Sequence, residues 1–479
     1  MTGQICFLLN HRQICTDQPA GLTLLDYLRQ TERLIGTKEG CHAGDCGACT
    51  VLLGECLLGE WNAEHVRYQA VTACLLPLGA LQGKHVVTIE GINQANLSPV
   101  QQALVDFGAT QCGFCTSGMV MSLTAYLLTG DQVNVEGVSK ALSGNLCRCT
   151  GYGAIKRASA SLMRSQSHLP LTIAEAINQQ ILPPYFADIT ERLRQLRQPV
   201  TEVSAIAELS EFAIAGGTDL YVQSGDLLPE VPVQFLSASI AHKGITTDKG
   251  RIHIGALTTF ADFASHPAIL QLIPQMPAYI EQIASPQIRN LATIGGNIVG
   301  ASPIADFTIL LLVLDALLVW QRGSQRRTLP IREFFLDYKQ TDRMQGEILQ
   351  EIILPRDICD RKIHFEKVSK RMHVDCAAVN SAIAIRDEAD QIRELRISMG
   401  GVAPIPLLLQ QTSNFLIGKH ICRDTLEQSF PILQAEISPR SDIYGSEPYK
   451  RLLARQLLIA HFAELFPDLI NGRELYATH

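Results

Sequence analysis

Apolar and polar positions divide the chain into stretches of different period. Near the start, Ile5–Leu9 and Gln13–Thr16 read as strands turning at Asn10 and His11, and Thr23 caps a short helix over Leu24–Arg29. Thr50–Leu53, His65–Val71 and His85–Ile89 read as further strands. The period then lengthens. Ser98 followed by Pro99 starts a helix that Gly108 stops. Met119, Val120, Leu123, Tyr126 and Leu127 recur at helical spacing, from an N-cap at Ser117 to a stop at Gly130. A last helix of this region is expected over Gly153–Arg164. Polar SQSHLP and the adjacent prolines of ILPP (181–184) read as a linker. Beyond it Glu211–Ala215 reads as a strand of an α/β region. His364–Val368, Ala377–Arg386 and Gln391–Met399 alternate as strands before a turn at GGVAP (400–404) and terminal helices.

A chain of 479 residues with 47% hydrophobic residues is long enough for several domains, roughly three at ~150 residues each. Its net charge of −7 gives no support to nucleic-acid binding, and Arg322, Arg326 and Arg327 flank Gly323 and Ser324 as a solvated hairpin tip. Ile309–Leu314 is the most apolar run and is far short of the ~20 residues that span a bilayer. Met1–Asn10 lacks the basic start of a signal peptide, so a soluble cytoplasmic protein is expected. Of the 14 cysteines, most precede position 150, and in that compartment such crowding indicates metal rather than disulfides.

Two groups of cysteines carry the chemistry. In QCGFC and NLCRCTG, Cys112 and Cys115 form a C-x2-C pair and Cys147 and Cys149 a C-x-C pair, with the long helix between them. A helix N-terminus favours bound negative charge, which a thiolate-ligated cluster carries, yet four thiolates in two pairs also suit tetrahedral zinc. GCHAGDCGACT (40–50) breaks the tie. Cys41, Cys46 and Cys49 follow the C-x4-C-x2-C spacing of plant-type [2Fe–2S] proteins, with Cys74 as the fourth thiolate. Cys6, Cys15 and Cys56 fall in or beside strand patterns and read as packing residues.

Two glycine turns follow. AGGTDL (215–220) and ATIGGN (292–297), the latter leading to ASPIAD (301–306), offer backbone N–H groups, hydroxyls (Thr218, Thr293, Ser302) and carboxylates (Asp219, Asp306). That mixture suits a nucleotide with phosphates and ribose hydroxyls, although AGGTDL alone reads equally as a plain turn. No nucleophile–base pair stands out; His373 and Asp375 read as surface or capping groups, and no catalytic side chain is assigned.

GCHAGDCGACTV, QCGFCTSGMVMS and GNLCRCTGY resemble the iron–sulfur segment of the molybdenum hydroxylases, and AGGTDL with TIGGN and ASPIAD resembles their FAD segment. The order of motifs resembles the small iron–sulfur/FAD subunit of bacterial two-subunit xanthine dehydrogenases. The resemblance implies an α+β multidomain chain: a ferredoxin-like β-grasp [2Fe–2S] domain (1–90), a helical-bundle [2Fe–2S] domain (91–165), a linker (166–195), an α/β FAD-binding domain of the vanillyl-alcohol-oxidase type (196–358) and an α+β C-terminal flavoprotein domain (359–479). It implies that Cys41, Cys46, Cys49 and Cys74 hold one cluster, and that Cys112, Cys115, Cys147 and Cys149 hold another, sealed from solvent in the helical domain. FAD would fall to Ala215, Gly216, Gly217, Thr218, Asp219 and Leu220 and to Thr293, Gly295, Gly296, Asn297, Ser302, Asp306 and Lys367. Gln111 matches a family glutamine that approaches the molybdopterin of the partner. The implied activity is electron transfer from a large molybdopterin-binding subunit through both clusters to FAD and then NAD during hypoxanthine and xanthine oxidation, in a dimer of heterodimers. An aldehyde- or N-heterocycle-oxidising relative, or a zinc-binding assembly protein, are the rival readings. Ser117 and Ala154 stand where the family has proline, and Ile283 where animal enzymes place an aromatic over the flavin.

Overall fold

Asn10 takes left-handed backbone (φ 54°) and turns Ile5–Leu9 (β1) back onto Arg12–Thr16 (β2). This hairpin opens the computed structural model, which describes residues 4–56, 66–130, 132–196, 212–236, 243–355 and 360–477. His65 and Glu211, each expected to begin a strand, lie outside the described residues. Two compact units are present, one built from residues 4–196, 212–236 and 285–292, the other from 243–284 and 293–477.

In the first unit Thr50–Cys56 (β3), Val66–Thr72 (β4) and His85–Val87 (β5) complete a five-stranded sheet in the order β2-β1-β5-β3-β4. Only β1 and β5 run parallel among these pairs. Both faces are covered, which is why the strands show little polar alternation. Phe7, Leu9, Val51 and Leu53 pack with Leu24, Leu25 and Leu28, whereas Leu8 and Leu52 pack with Met119, Val120 and Leu123 of a long helix. Each such burial contributes about 1.5–3 kcal/mol. Thr23 caps Leu24–Asp26 as expected, and the chain continues as a wider helical turn over Tyr27–Thr31.

The helices are Pro99–Asp106, closed at its start by a Ser98–Gln101 capping box, then Thr116–Thr129, Val135–Ala141 and Gly153–Arg164. The N-cap of Thr116–Thr129 is Cys115 rather than Ser117, because the helix begins directly where the QCGFC loop ends. Residues 166–195, expected as a linker, form helices Ile173–Asn178 and Ile189–Leu196. Leu171, Ile181, Leu182, Phe186 and Leu193 join the helical core, so the prolines start a turn here rather than a spacer. Cys6 and Cys15 correct a second expectation. They face one another in the β1–β2 register and are joined by a disulfide, a pairing that antiparallel register creates and sequence spacing hides. Cys56 is half-buried against the helical core, as a packing residue.

Among its described residues the second unit holds a two-stranded antiparallel sheet, Phe335–Asp337 with Gln340–Thr341, and two larger antiparallel ones. One runs in the order Gln325–Pro330, Leu317–Arg322, Ile348–Leu354, Arg251–Gly255 and Ile245–Asp248. The hairpin at Gly323 and Ser324 forms as expected, but Arg327 is not merely solvated: it pairs with Asp342 and Glu347. The other sheet comprises Lys362–Val368, Val379–Glu388, Gln391–Gly400 and Leu407–Leu408, and its apolar face packs on Arg423–Glu436 and Glu447–Leu465. The apolar run after Asp306 is a helix, Asp306–Val313, buried from Phe307 to Val313. Among the described residues no helix is long and apolar enough to cross a membrane.

Candidate cofactor sites

The first cysteine site is assembled by sheet register. Cys49 immediately precedes β3 and Cys74 closely follows β4, and Thr50 pairs with Thr72, so the hairpin brings the two sulfurs to 3.3 Å. Cys41 and Cys46 form the other pair within one loop. The Cys41 sulfur accepts the N–H groups of Ala43, Asp45 and Cys46 at 3.4, 3.2 and 3.4 Å. The neighbouring Cys46 thiol and these N–H groups bring the Cys41 thiol down to about 5, against burial. Cys46 is pushed up by Cys41, and Cys49 and Cys74 divide the same way, Cys49 down and Cys74 up. In each pair the two thiols are therefore pulled in opposite directions by their closeness.

The second site lies where Thr116–Thr129 begins. Cys149 and Cys112 sulfurs are 3.6 Å apart, and Cys115 neighbours Cys147. The Cys147 sulfur meets the Thr150 hydroxyl at 3.1 Å and accepts the Thr150 N–H at 3.5 Å, which draws its thiol down although burial opposes this. Burial first, and Cys147 second, raise Cys115 to about 12. The Tyr152 hydroxyl accepts the Cys147 N–H at 2.9 Å. This site is not sealed within the chain, as had been expected. Cys112 and Cys149 are exposed, because the apolar residues of the helix, Met119 to Leu127, bury themselves beyond the cysteine loops and leave those loops at its open end.

Both sites sort their four sulfurs into two pairs. That suits a [2Fe–2S] cluster, in which each iron takes two thiolates, better than one zinc ion, which draws four ligands to a point. Among the described residues no three Cys, His, Asp or Glu side chains form a set able to hold a single ion. The two loops touch. Leu146 N–H donates to Cys46 carbonyl at 2.9 Å, and Asn145 Nδ2 donates to Gly47 carbonyl at 3.0 Å. Gly47 has φ 67°, and a Cβ there would fall 2.3 Å from the Gly144 carbonyl oxygen.

The glycine turns are described within their own units. In the first unit, Phe212–Ile214 leads through Ala215 and Gly216 to Gly217, which takes φ 75° and caps Thr218–Ser224. A Cβ on Gly216 would sit 2.0 Å from the Leu291 carbonyl oxygen. Asp219 is exposed and accepts from Gln223 Nε2, and Leu220 packs partly against the sheet core. In the second unit, Thr293 caps Ile294–Val299 by accepting the Gly296 N–H at 3.1 Å. Gly295 lies against Ala256, and Gly296 is exposed. Asn297 accepts the N–H and hydroxyl of Thr308, and Ser302 accepts the Ile304 N–H. Lys367, buried, donates to Asp306 at 2.8 Å and to the Gln282 carbonyl at 2.9 Å; Asn380 donates to the other oxygen of Asp306. The structure thus brings Asp306 and Lys367 together as an ion pair. His373 bonds the Glu281 carbonyl and Asp375 pairs with Arg371, in keeping with capping roles. Ile283 is buried.

Four family models match in succession: a 2Fe–2S iron–sulfur cluster binding domain over residues 7–78, a [2Fe–2S] binding domain over 88–160, the FAD binding domain in molybdopterin dehydrogenase over 196–357, and the CO dehydrogenase flavoprotein C-terminal domain over 364–465. Domain by domain, the chain is similar to the molybdenum hydroxylases. Among relatives, xanthine dehydrogenase 1 of Arabidopsis thaliana is 28% identical over 93% of the chain and 38% of the relative. Aldehyde oxidase 1 of Oryctolagus cuniculus is 29% identical over 96% of the chain and 39% of the relative. The chain spans about two fifths of the length of the curated relatives it matches. A solved carbon monoxide dehydrogenase from Hydrogenophaga pseudoflava is 26% identical, covering 51% of this chain and 86% of that one, with a TM-score of 0.48.

The hydroxylase motifs did not disclose the residues that join the two cysteine loops. Asn145 stands inside GNLCRC and Gln287 inside SPQIRN, and nothing in either spacing points to a contact between them.

Proposed function

We propose that this chain is the electron-transfer half of a xanthine dehydrogenase, working with a large molybdopterin-binding subunit in the cytoplasm as a dimer of heterodimers. The observation that carries the reading is the pairing of four cysteines at each of two sites, on a chain whose domains run from two [2Fe–2S] domains to an FAD-binding domain. When bound, the clusters supply one-electron transfer and FAD supplies the junction between single electrons and hydride transfer to NAD. The chain's own residues bind and position. Cys41, Cys46, Cys49 and Cys74 hold one cluster; Cys112, Cys115, Cys147 and Cys149 hold the other, on the exposed side that a partner would meet. FAD falls to Ala215–Leu220 and to Thr293, Gly295, Gly296, Asn297, Ser302, Asp306 and Lys367. No acid–base side chain of this chain is required.

The chain loaded with iron, sulfide and FAD is expected to reduce a dye with NADH while leaving xanthine untouched. Adding the molybdopterin subunit restores xanthine-dependent NAD reduction. Xanthine oxidation by the chain alone would overturn the reading. Aldehyde oxidases match as closely as xanthine dehydrogenases, so an aldehyde-oxidising partner is the second reading. Turnover of aldehydes but not purines by the reassembled enzyme decides for it.

A further inference from the structure

Three buried polar side chains meet where the two cysteine loops touch. Gln287, Asn145 and Ser122 are 0%, 3% and 2% exposed. Gln287 Nε2 donates to Ser122 Oγ and to Asn145 Oδ1, each at 3.0 Å, and Ser122 Oγ donates to the same Asn145 oxygen at 2.7 Å. Asn145 passes the contact on, its Nδ2 donating to the Gly47 carbonyl at 3.0 Å. Gln287 thereby reaches the loop between Cys46 and Cys49, and Asn145 stands two residues before Cys147. The fit is close: a Cβ on Gly144 would lie 2.0 Å from Gln287 Oε1, and that oxygen is buried with no partner. A buried network with one orphaned acceptor is less stable than an apolar contact of the same shape, so stability alone does not account for it.

We propose that Gln287 is a positioning residue for electron transfer: through Asn145 it fixes the Gly47 carbonyl, and so sets the first cysteine loop against the second. This rests on the reading of both sites as [2Fe–2S] clusters. The amide end of Gln287 is its working part, because both of its contacts are donated from Nε2 to acceptors already oriented by Ser122 and Asn145. Ile288, the next residue, lies where a Cβ on Gly44 would touch it at 2.7 Å, so the same segment braces the first loop from a second direction.

The test is electron paramagnetic resonance of the reduced, cofactor-loaded full chain, comparing Gln287→Met, Gln287→Glu and Ser122→Ala with the parent. Gln287→Met keeps the volume and removes both donors. It is expected to retain full iron and flavin content, to shift the signal of the Cys41–Cys74 cluster and to change its magnetic interaction with the other. Ser122→Ala is expected to cause a smaller shift in the same direction. Gln287→Glu, protonated when buried, restores one donor and part of the parent spectrum. Unchanged spectra in Gln287→Met with only a lowered Tm would reduce Gln287 to a packing residue and overturn the proposal. Absence of two signals in the parent would instead overturn the cluster reading beneath it.

Discussion

The two cysteine sites each gather four thiols and differ in what holds them. At the first, Cys49 and Cys74 are 2% and 1% exposed and are brought together by the β3–β4 register. At the second, Cys112 and Cys149 are exposed and sit on loops at the open end of one helix. A site made by register shares its ligands with the core, so the core and the cluster depend on one another. A site made of loops can change its ligands without changing the core, and it stays open to whatever docks there.

The largest expected effect follows directly. Cys49→Ser and Cys149→Ser should each abolish one paramagnetic signal and leave the other. Cys49→Ser places a hydroxyl among apolar neighbours and should lower stability by about 1–3 kcal/mol, whereas Cys149→Ser, at an exposed position, should leave stability nearly unchanged. Urea unfolding followed by circular dichroism measures both. Equal losses of stability would erase the distinction between the sites.

A smaller effect is expected where the sites meet. Gly47→Ala forces an L residue into left-handed backbone and drives a Cβ to 2.3 Å from the Gly144 carbonyl. The loops must then part, at about 2–3 kcal/mol. Both signals should shift together, since Leu146 and Asn145 bond to this loop. Movement of one signal alone would show that the loops are not mechanically linked.

Acid sharpens the same comparison from beneath the sheet. The His85 ring is buried; Nε2–H donates to the Asn10 carbonyl at 2.9 Å, so Nδ1 accepts from the Tyr68 hydroxyl at 2.6 Å. Burial lowers its pKa from 6.5 to about 3. The unfolded chain therefore binds a proton that the folded one refuses as pH falls below 6.5. Stability from this group is complete above 6.5 and declines toward pH 3, by about 2 kcal/mol at pH 5. His85→Gln should flatten that slope in urea titrations between pH 6.5 and 5. An unchanged slope would place the acid sensitivity elsewhere.

These differences show which parts of the molecule were legible in its sequence. The Gly153–Arg164 helix, the Ser98 cap and the Asn10 turn were readable because each depends on residues within one or two turns of chain. Cys41, Cys46 and Cys49 were readable as a set because their spacing is local. The Cys6–Cys15 disulfide and the Gln287 contacts were not, since each joins separate segments through register or packing. Residues 166–195 misled for a related reason: prolines mark where a helix cannot run, yet Leu171, Ile181, Leu182 and Phe186 still had a core to enter. The openness of the second site was hidden too, because helical spacing shows which face is apolar and not which end is covered.

The smallest expected effect tests a single hydrogen bond at the open site. Cys147 takes two contacts from Thr150, the hydroxyl at 3.1 Å and the N–H at 3.5 Å. Thr150→Val keeps the shape and the N–H and removes only the hydroxyl. A bond to a charged sulfur stabilises the electron-rich state, so its loss, worth about 1 kcal/mol, should make the Cys112–Cys149 cluster harder to reduce. The sheet cluster should not respond, because Thr150 belongs to the loop of the second site alone. A redox titration followed by paramagnetic resonance separates the two signals and reads both potentials in one sample. If the sheet signal moves and the helical one does not, the assignment of cysteine pairs to clusters is wrong; if both move equally, the link through Leu146 and Asn145 transmits more than position.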